Sequence, residues 1–171
     1  MKIVLLESLG ISKELLESYV KPLKEKGYEF AAYERNDDTS VQIEEAKDAD
    51  ILIIANMPLE AAVINACPKL KYINVAFTGV DHVALAAAKA KGIVVSNASG
   101  YSTVAVAELT LAMILSLLRY IPQVDRTCRA GGTKAGFIGT ELEGRTVALI
   151  GTGAIGNRVA QLVHAFGAKI I

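Results

Sequence analysis

The segment Arg145-Thr-Val-Ala-Leu-Ile-Gly-Thr-Gly-Ala-Ile-Gly156 constrains the fold more than any other part of this sequence. Thr146 to Ile150 are apolar or β-branched, as in a strand buried on both faces. Three glycines follow with G-x-G-x-x-G spacing, and Val159, Leu162, Val163 and Phe166 then recur at helical intervals as a buried face. Strand, glycine turn and helix in that order open a dinucleotide-binding unit. Gly151 permits the tight turn. Gly153 lets a pyrophosphate approach the backbone, and Gly156 lets the helix pack close to the strand. The helix, Ala154 to Phe166, aims its free N–H groups, including those of Ala154 and Ile155, and its positive dipole end at the phosphate. Gly167 ends it, and Lys169 to Ile171 begin a second strand. The acid that reads the adenosine ribose falls roughly 20 residues past such glycines. That position lies beyond Ile171, so the sequence does not choose between NAD and NADP.

The first half alternates strands and helices. Strands are expected at Ile3–Leu6, Tyr28–Tyr33, Asp50–Ala55, Tyr72–Ala76 and Ile93–Val95. Ser12 caps a helix carrying Leu15, Leu16, Tyr19, Val20 and Leu23, which Pro22 should kink or shorten. Ser40 caps a short helix to about Lys47, Leu59–Ala66 forms another, and Asp81 caps an alanine-rich one that Gly92 closes. Strands separated by helices, each nearly continuous in apolar residues, imply a parallel sheet covered on both faces. Ligands of such sheets sit outside the carboxyl ends of the strands. Glu7–Ser8, Asn56–Met57 and Phe77–Gly79 lie on that edge.

Ser102 to Tyr120 read as one long helix whose only charges are Glu108 and Arg119. A helix apolar nearly all round is buried on several sides, between domains, between subunits, or both. Glu108 then needs a local donor. After Pro122 the chain turns polar, and residues 131–144 read as a connection. Eighteen basic and eighteen acidic residues balance with no basic run, which argues against a nucleic-acid surface. The longest apolar run, Leu111–Leu118, is interrupted by Ser116 and too short to span a bilayer. Cys67 and Cys128 have no metal or redox spacing, so a reducing cytoplasm is the expected location.

Three patches occur together: Val75-Ala-Phe-Thr-Gly-Val-Asp-His82, Asn97-Ala-Ser-Gly-Tyr-Ser-Thr-Val-Ala-Val-Ala-Glu108, and the Gly151–Gly156 turn. In this order and spacing the chain resembles the D-isomer-specific 2-hydroxyacid dehydrogenases, over about the first half of a member. The resemblance implies an α/β chain: a flavodoxin-like parallel-sheet substrate domain over 1–97, then the truncated start of a Rossmann NAD-binding domain over 98–171. It implies an active site in the cleft between them. Asn56, Thr78 and Gly79 would meet the substrate, and Thr103 would approach the nicotinamide with the Gly151, Gly153, Ala154, Ile155 and Gly156 turn on the phosphates. Ser99 departs from the proline that many members carry, which loosens that turn.

The family's catalytic arginine, acid and histidine lie beyond the glycine motif, so no catalytic residue maps onto this chain. His82 and His164 are not at matching positions. The implied activity is hydride transfer between NAD and the C2 carbon of a small 2-hydroxy or 2-keto acid. The alternative, from the family's corepressor branch, is an NAD(H)-sensing scaffold without turnover. The 171 residues alone are expected to be inactive. They are also expected to assemble as a homodimer or larger through the 102–120 helix, or to carry a disordered tail.

Overall fold

The computed structural model describes all residues, Met1–Ile171, and the chain divides into two compact units, Met1–Ser99 and Gly100–Ile171. The first is a five-stranded parallel sheet, β1 (Lys2–Leu5), β2 (Glu29–Ala32), β3 (Ile51–Ile54), β4 (Tyr72–Val75) and β5 (Val94–Asn97), in the order β2-β1-β3-β4-β5. This is the flavodoxin-like strand order. Four helices connect the strands: α1 (Lys13–Glu25), α2 (Thr39–Ala46), α3 (Ala61–Ala66) and α4 (Leu85–Ala90).

Strand periodicity sorts the side chains. Val4, Leu6, Leu52, Ile54, Ile73 and Val75 point to one face, where Ala46, Val63, Ile64 and Ala88 from α2, α3 and α4 close the core. The opposite face is only partly covered. Val20 of α1 is buried and α1 packs on β2, but Ile51, Ile53, Tyr72, Asn74 and Ser96 are half-buried and Val94 is 61% exposed. A sheet covered on both faces is therefore corrected to one covered fully on the α2–α4 side alone. The reason is visible in the residues. The open face mixes aliphatic groups with the Tyr72 hydroxyl, hydrogen-bonded to the Ser96 hydroxyl and accepting from Asn74 Nδ2 at 3.5 Å.

The helix starts differ from the sequence expectation in three places. Asp38, not Ser40, caps α2, its Oδ1 accepting from the Ser40 N–H at 2.8 Å. Leu59 joins a bridge to Val83, so α3 starts only at Ala61. Asp81 caps nothing, because α4 starts after Ala84. Ser12 does cap α1, and Pro22 lies inside that helix without ending it before Glu25. Helices α1 and α4 close alike: Gly27 and Gly92 donate to Lys24 and Lys89, while Tyr28 and Ile93 donate to Leu23 and Ala88.

Two polar contacts brace the first unit. Lys91 Nζ donates to the carbonyls of Ile64, Asn65 and Cys67 at 2.9, 3.2 and 3.0 Å, capping the C-terminal end of α3. Lys91→Met should therefore lower stability by about 1–2 kcal/mol in urea unfolding, since it strands carbonyls that a charged donor now satisfies. At the amino-terminal edge of the sheet, Asp50 accepts from the Lys2 N–H at 2.9 Å and from Lys71 Nζ at 3.0 Å. The backbone bond first, and then Lys71, hold its carboxyl below the usual aspartate value. A lowered folded value gives stability that is complete above the unfolded pKa, about 3.9. It is lost as pH falls through the folded value. Asp50→Asn should lose less stability than the parent between neutral pH and pH 3 in acid titration followed by circular dichroism.

The second unit holds α5 (Thr103–Leu118), α6 (Ile121–Arg129), β6 (Thr146–Val147), α7 (Ala154–Ala165) and β7 (Lys169–Ile170). Its core is Ala107, Leu142, Val159, Val163 and Ala168, with Leu111, Ile114, Leu115, Leu118 and Leu162 packed around it. Helix α5 is two-sided within the single chain. One face packs on α7, while Leu109, Met113 and Leu117 are 60%, 58% and 72% exposed. Glu108 is exposed, which removes its need for a buried partner. Phe166 is likewise exposed, so α7 buries Val159 and Val163 but not its last aromatic.

Helix α6 was not expected, since the sequence reading noted only that the chain turns polar after Pro122. Tyr120 takes a left-handed φ of 54° and ends α5. Pro122 then sits in the first turn of a new helix, where no amide is needed, and Asp125 pairs with Arg129 one turn on. The two helices are bent by 62°, and no single helix is long and apolar enough to cross a membrane. Strand β6 is shorter than Thr146–Ile150 because β7 is its one partner. Pairing reaches Leu149, whose N–H donates to Ile171 at 2.9 Å, and Ile150 lies in solvent.

Candidate functional site

Two groups of residues carry candidate chemistry, one in each unit. In the second unit, Gly151 follows β6 with φ +107°, a conformation that a side chain would strain. Gly153 is the N-cap of α7, and a β-carbon placed on it meets nothing within 4 Å. Gly156 is the opposite case. A β-carbon there would stand 2.1 Å from the Gly151 carbonyl oxygen. The turn is thus folded back on the first turn of α7, with open space at its tip.

The first bond of α7 runs from Asn157 N–H to the Gly153 carbonyl at 2.9 Å, so the amides of Ala154, Ile155 and Gly156 have no helical acceptor. Asn157 Nδ2 also donates to the Thr152 carbonyl at 2.8 Å, which fixes the peptide at the turn's tip. Ala154 is exposed, whereas the Ile155 side chain packs into the core and offers only its amide. Donor amides at a helix N-terminus suit an anion. Thr103 does not belong to this turn. It is the half-buried first residue of α5.

In the first unit, the carboxyl ends of the strands bring Glu7, Arg35, Asn56, Thr78, Gly79 and Asn97 to one edge. Asn56 lies just past β3, and Thr78–Gly79 just past its neighbour β4. Asn97 Nδ2 donates to the Thr78 carbonyl at 2.7 Å and holds that loop. Arg35 Nη1 donates to Asn56 Oδ1 at 2.9 Å, and its Nε pairs with Asp37 at 3.0 Å. Glu7 is 3% exposed and its Oε1 accepts from the amides of Ala55 and Met57. The sequence reading placed Glu7 on this edge without a role and missed Arg35. An arginine three residues past a strand end, on the side where ligands bind, was the available signal.

His164 is exposed on α7, and His82 is half-buried with a buried Nε2 that has no hydrogen-bond partner. A cavity of about 790 Å³ beside α5 and α6 is lined by residues such as Arg119, Lys134 and Phe137 and includes none of the candidate residues.

Residues 5–166 match the family profile described as D-isomer specific 2-hydroxyacid dehydrogenase, catalytic domain. Human D-3-phosphoglycerate dehydrogenase is 42% identical over 131 residues, which is 75% of this chain and 25% of that protein. An acyclic imino acid reductase solved with NADPH and D-Arg superposes with a TM-score of 0.86 at 29% identity, over 98% of this chain and 54% of its own. D-Lactate dehydrogenase from Aquifex aeolicus, solved with NAD and lactic acid, gives 0.83 at 29% identity, over 99% of this chain and 50% of its own. The chain thus spans about a quarter of the curated relatives' length and about half of these solved structures. Those structures share the parallel α/β sheet and the opening of a Rossmann unit found here. With its strand order, its glycine turn and a profile match over nearly its whole length, the chain belongs to the D-isomer-specific 2-hydroxyacid dehydrogenase family.

Proposed function

We propose that residues 1–97 serve as a substrate-binding domain and residues 98–171 as the start of an NAD-binding domain. The activity they serve is an oxidoreductase interconverting a small D-2-hydroxy acid and its 2-keto acid. The observation that carries this reading is the glycine turn. Gly156 is locked against the Gly151 carbonyl while Gly153 and the first α7 amides stand in open space. Gly151, Gly153, Ala154, Ile155 and Gly156 would hold the pyrophosphate through backbone N–H groups and the helix dipole. Thr103 would flank the nicotinamide end. Bound there, the nicotinamide supplies hydride transfer at the C2 carbon.

The chain's own residues bind and orient. Asn56 and the Thr78–Gly79 backbone lie on one strand-end edge and would receive the substrate carboxylate. His82 Nε2 is buried without a hydrogen-bond partner and His164 is exposed on α7, so neither is assigned proton transfer. We therefore expect no turnover from the 171 residues alone. The purified chain should reduce neither glyoxylate nor hydroxypyruvate with NADH at 340 nm, and any measurable turnover would refute this.

The reading is tested by titrating the ¹⁵N-labelled chain with NADH and, in parallel, NADPH. Shifts should concentrate on the Gly151–Gly156 amides with both nucleotides, since the turn meets the pyrophosphate that they share. None with either would end the proposal.

A second reading keeps the cofactor and drops the chemistry. The exposed stripe of Leu109, Met113 and Leu117 favours self-assembly through residues 102–120 and would equally suit an NAD(H)-sensing scaffold. Steady-state assay of the natural gene product with NADH separates the two. Two free cysteines, one of them exposed, accord with a cytoplasmic setting.

A further inference from the structure

Glu7 is a buried acid to which the proposed chemistry gives no part. It follows β1 directly, and its carboxylate reaches into the loop after β3. One oxygen, Oε1, accepts from the N–H of Ala55 and of Met57, both at 2.7 Å. These two amides flank Asn56, so the loop is pinched around a single oxygen atom. The second oxygen, Oε2, faces Arg35 Nη1 at 3.8 Å. That same Nη1 donates to Asn56 Oδ1 at 2.9 Å.

The chemistry of the groups fixes which way Asn56 is turned. A guanidinium has donors only, so the half of the carboxamide facing Arg35 is its oxygen. The Nδ2 half is left on the side away from Arg35. Arg35 extends from the end of β2, and the sheet order places β4 on the other flank of β3 from β1 and β2. Arg35 is itself held by Asp37 through Nε. Its charge is thus met by two carboxylates, and it works here as a clamp on Asn56 more than as a free anion binder.

We infer that Glu7 is a positioning residue. It holds the Ala55–Met57 loop and, through Arg35, sets Asn56 so that its carboxamide presents N–H donors to the carboxylate of the substrate. The inference rests on the reading of this edge as the 2-hydroxy or 2-keto acid site. It goes further in stating what Asn56 turns away from Arg35, its N–H donors, and what makes it do so. A site so arranged favours an anionic oxygen ligand.

The informative substitution is Glu7→Gln. Its side-chain oxygen can still accept from Ala55 and Met57, so the loop keeps its bonds. Its amide nitrogen then faces Arg35, donor against donor, and the hold of Arg35 on Asn56 is lost. D-Glycerate is titrated into the ¹⁵N-labelled 171-residue chain, following the backbone amides of residues 55–57 and 78–79 and the Asn56 side-chain NH₂ pair.

In the parent, both sets should shift. Glu7→Gln should weaken D-glycerate binding about fivefold to tenfold, the worth of one well-placed hydrogen bond, and abolish the shift of the Asn56 NH₂ pair. Arg35→Met, at a largely exposed position that does not endanger the core, should do the same. In an Asn56→Ala background, Glu7→Gln should weaken binding by less than about twofold, because its effect passes through Asn56. If the parent shows no shifts on this edge, the substrate-site reading fails and the inference with it. If the parent binds but Glu7→Gln binds equally well, or its loss persists in Asn56→Ala, the positioning role alone is overturned.

Discussion

Gly156→Ala is expected to be the most damaging single-atom change in this chain. A β-carbon at that position would lie 2.1 Å from the Gly151 carbonyl oxygen and 3.1 Å from its carbon. Both are backbone atoms of a turn whose φ of +107° leaves it little latitude. Relief requires moving either the turn or the start of α7. Overpacking ordinarily costs about 1–3 kcal/mol, and a clash with rigid backbone belongs at the top of that range. A unit of this size is stable by only about 4–10 kcal/mol. Urea unfolding followed by circular dichroism should show a loss of about 3 kcal/mol confined to the Gly100–Ile171 unit. Nucleotide-induced shifts at the turn should vanish as well. Gly153→Ala is the matched control. Its β-carbon meets open space and its φ of −70° is ordinary, so stability should change by under about 0.5 kcal/mol. Nucleotide shifts should still weaken, because the methyl group occupies the approach to the backbone.

The second large effect lies in the first unit. Leu52 is fully buried on a strand with neighbours on both sides, and it faces the α2–α4 core. Leu52→Ala should lower stability by about 3–5 kcal/mol, combining lost transfer energy with the cavity left behind. Val94→Thr, on the half-open face of the same sheet, should change it by less than about 0.5 kcal/mol. Equal losses from the two would mean that the open face is buried in solution. That would contradict the exposure seen in this chain.

The strands of the first unit were legible because each is a short, mostly apolar run, rich in Ile, Val and Leu everywhere but in β2, where Phe30 and two alanines carry the pattern. What the sequence hid is how completely each face is covered. Ile51, Ile53, Tyr72 and Val94 are apolar enough to read as buried, yet the first three are half-buried and Val94 is exposed. Periodicity reports which side chains share a face, not what covers it. Caps were half legible. Ser12 was found because one candidate stood at the start of α1, whereas Asp38 and Ser40 are both able caps and the longer reach of the carboxylate won. Helix α6 was missed because its residues are polar. It exists through Pro122, the left-handed turn at Tyr120 and an ion pair, none of which carries an apolar stripe. The glycine turn was legible residue by residue, since each glycine answers a separate steric demand. The Glu7–Arg35–Asn56 chain was not, because its members come from three strand ends that meet only in the folded sheet.

The outer row of α5 links this protein's heat resistance to its surroundings. Leu109, Met113 and Leu117 stand in line as one exposed row only while the helix is folded. A second body of the same chain that shelters that row grips the native form in preference to the unravelled one. By mass action, the melting point should then climb with the amount of that body present, with no change inside either core.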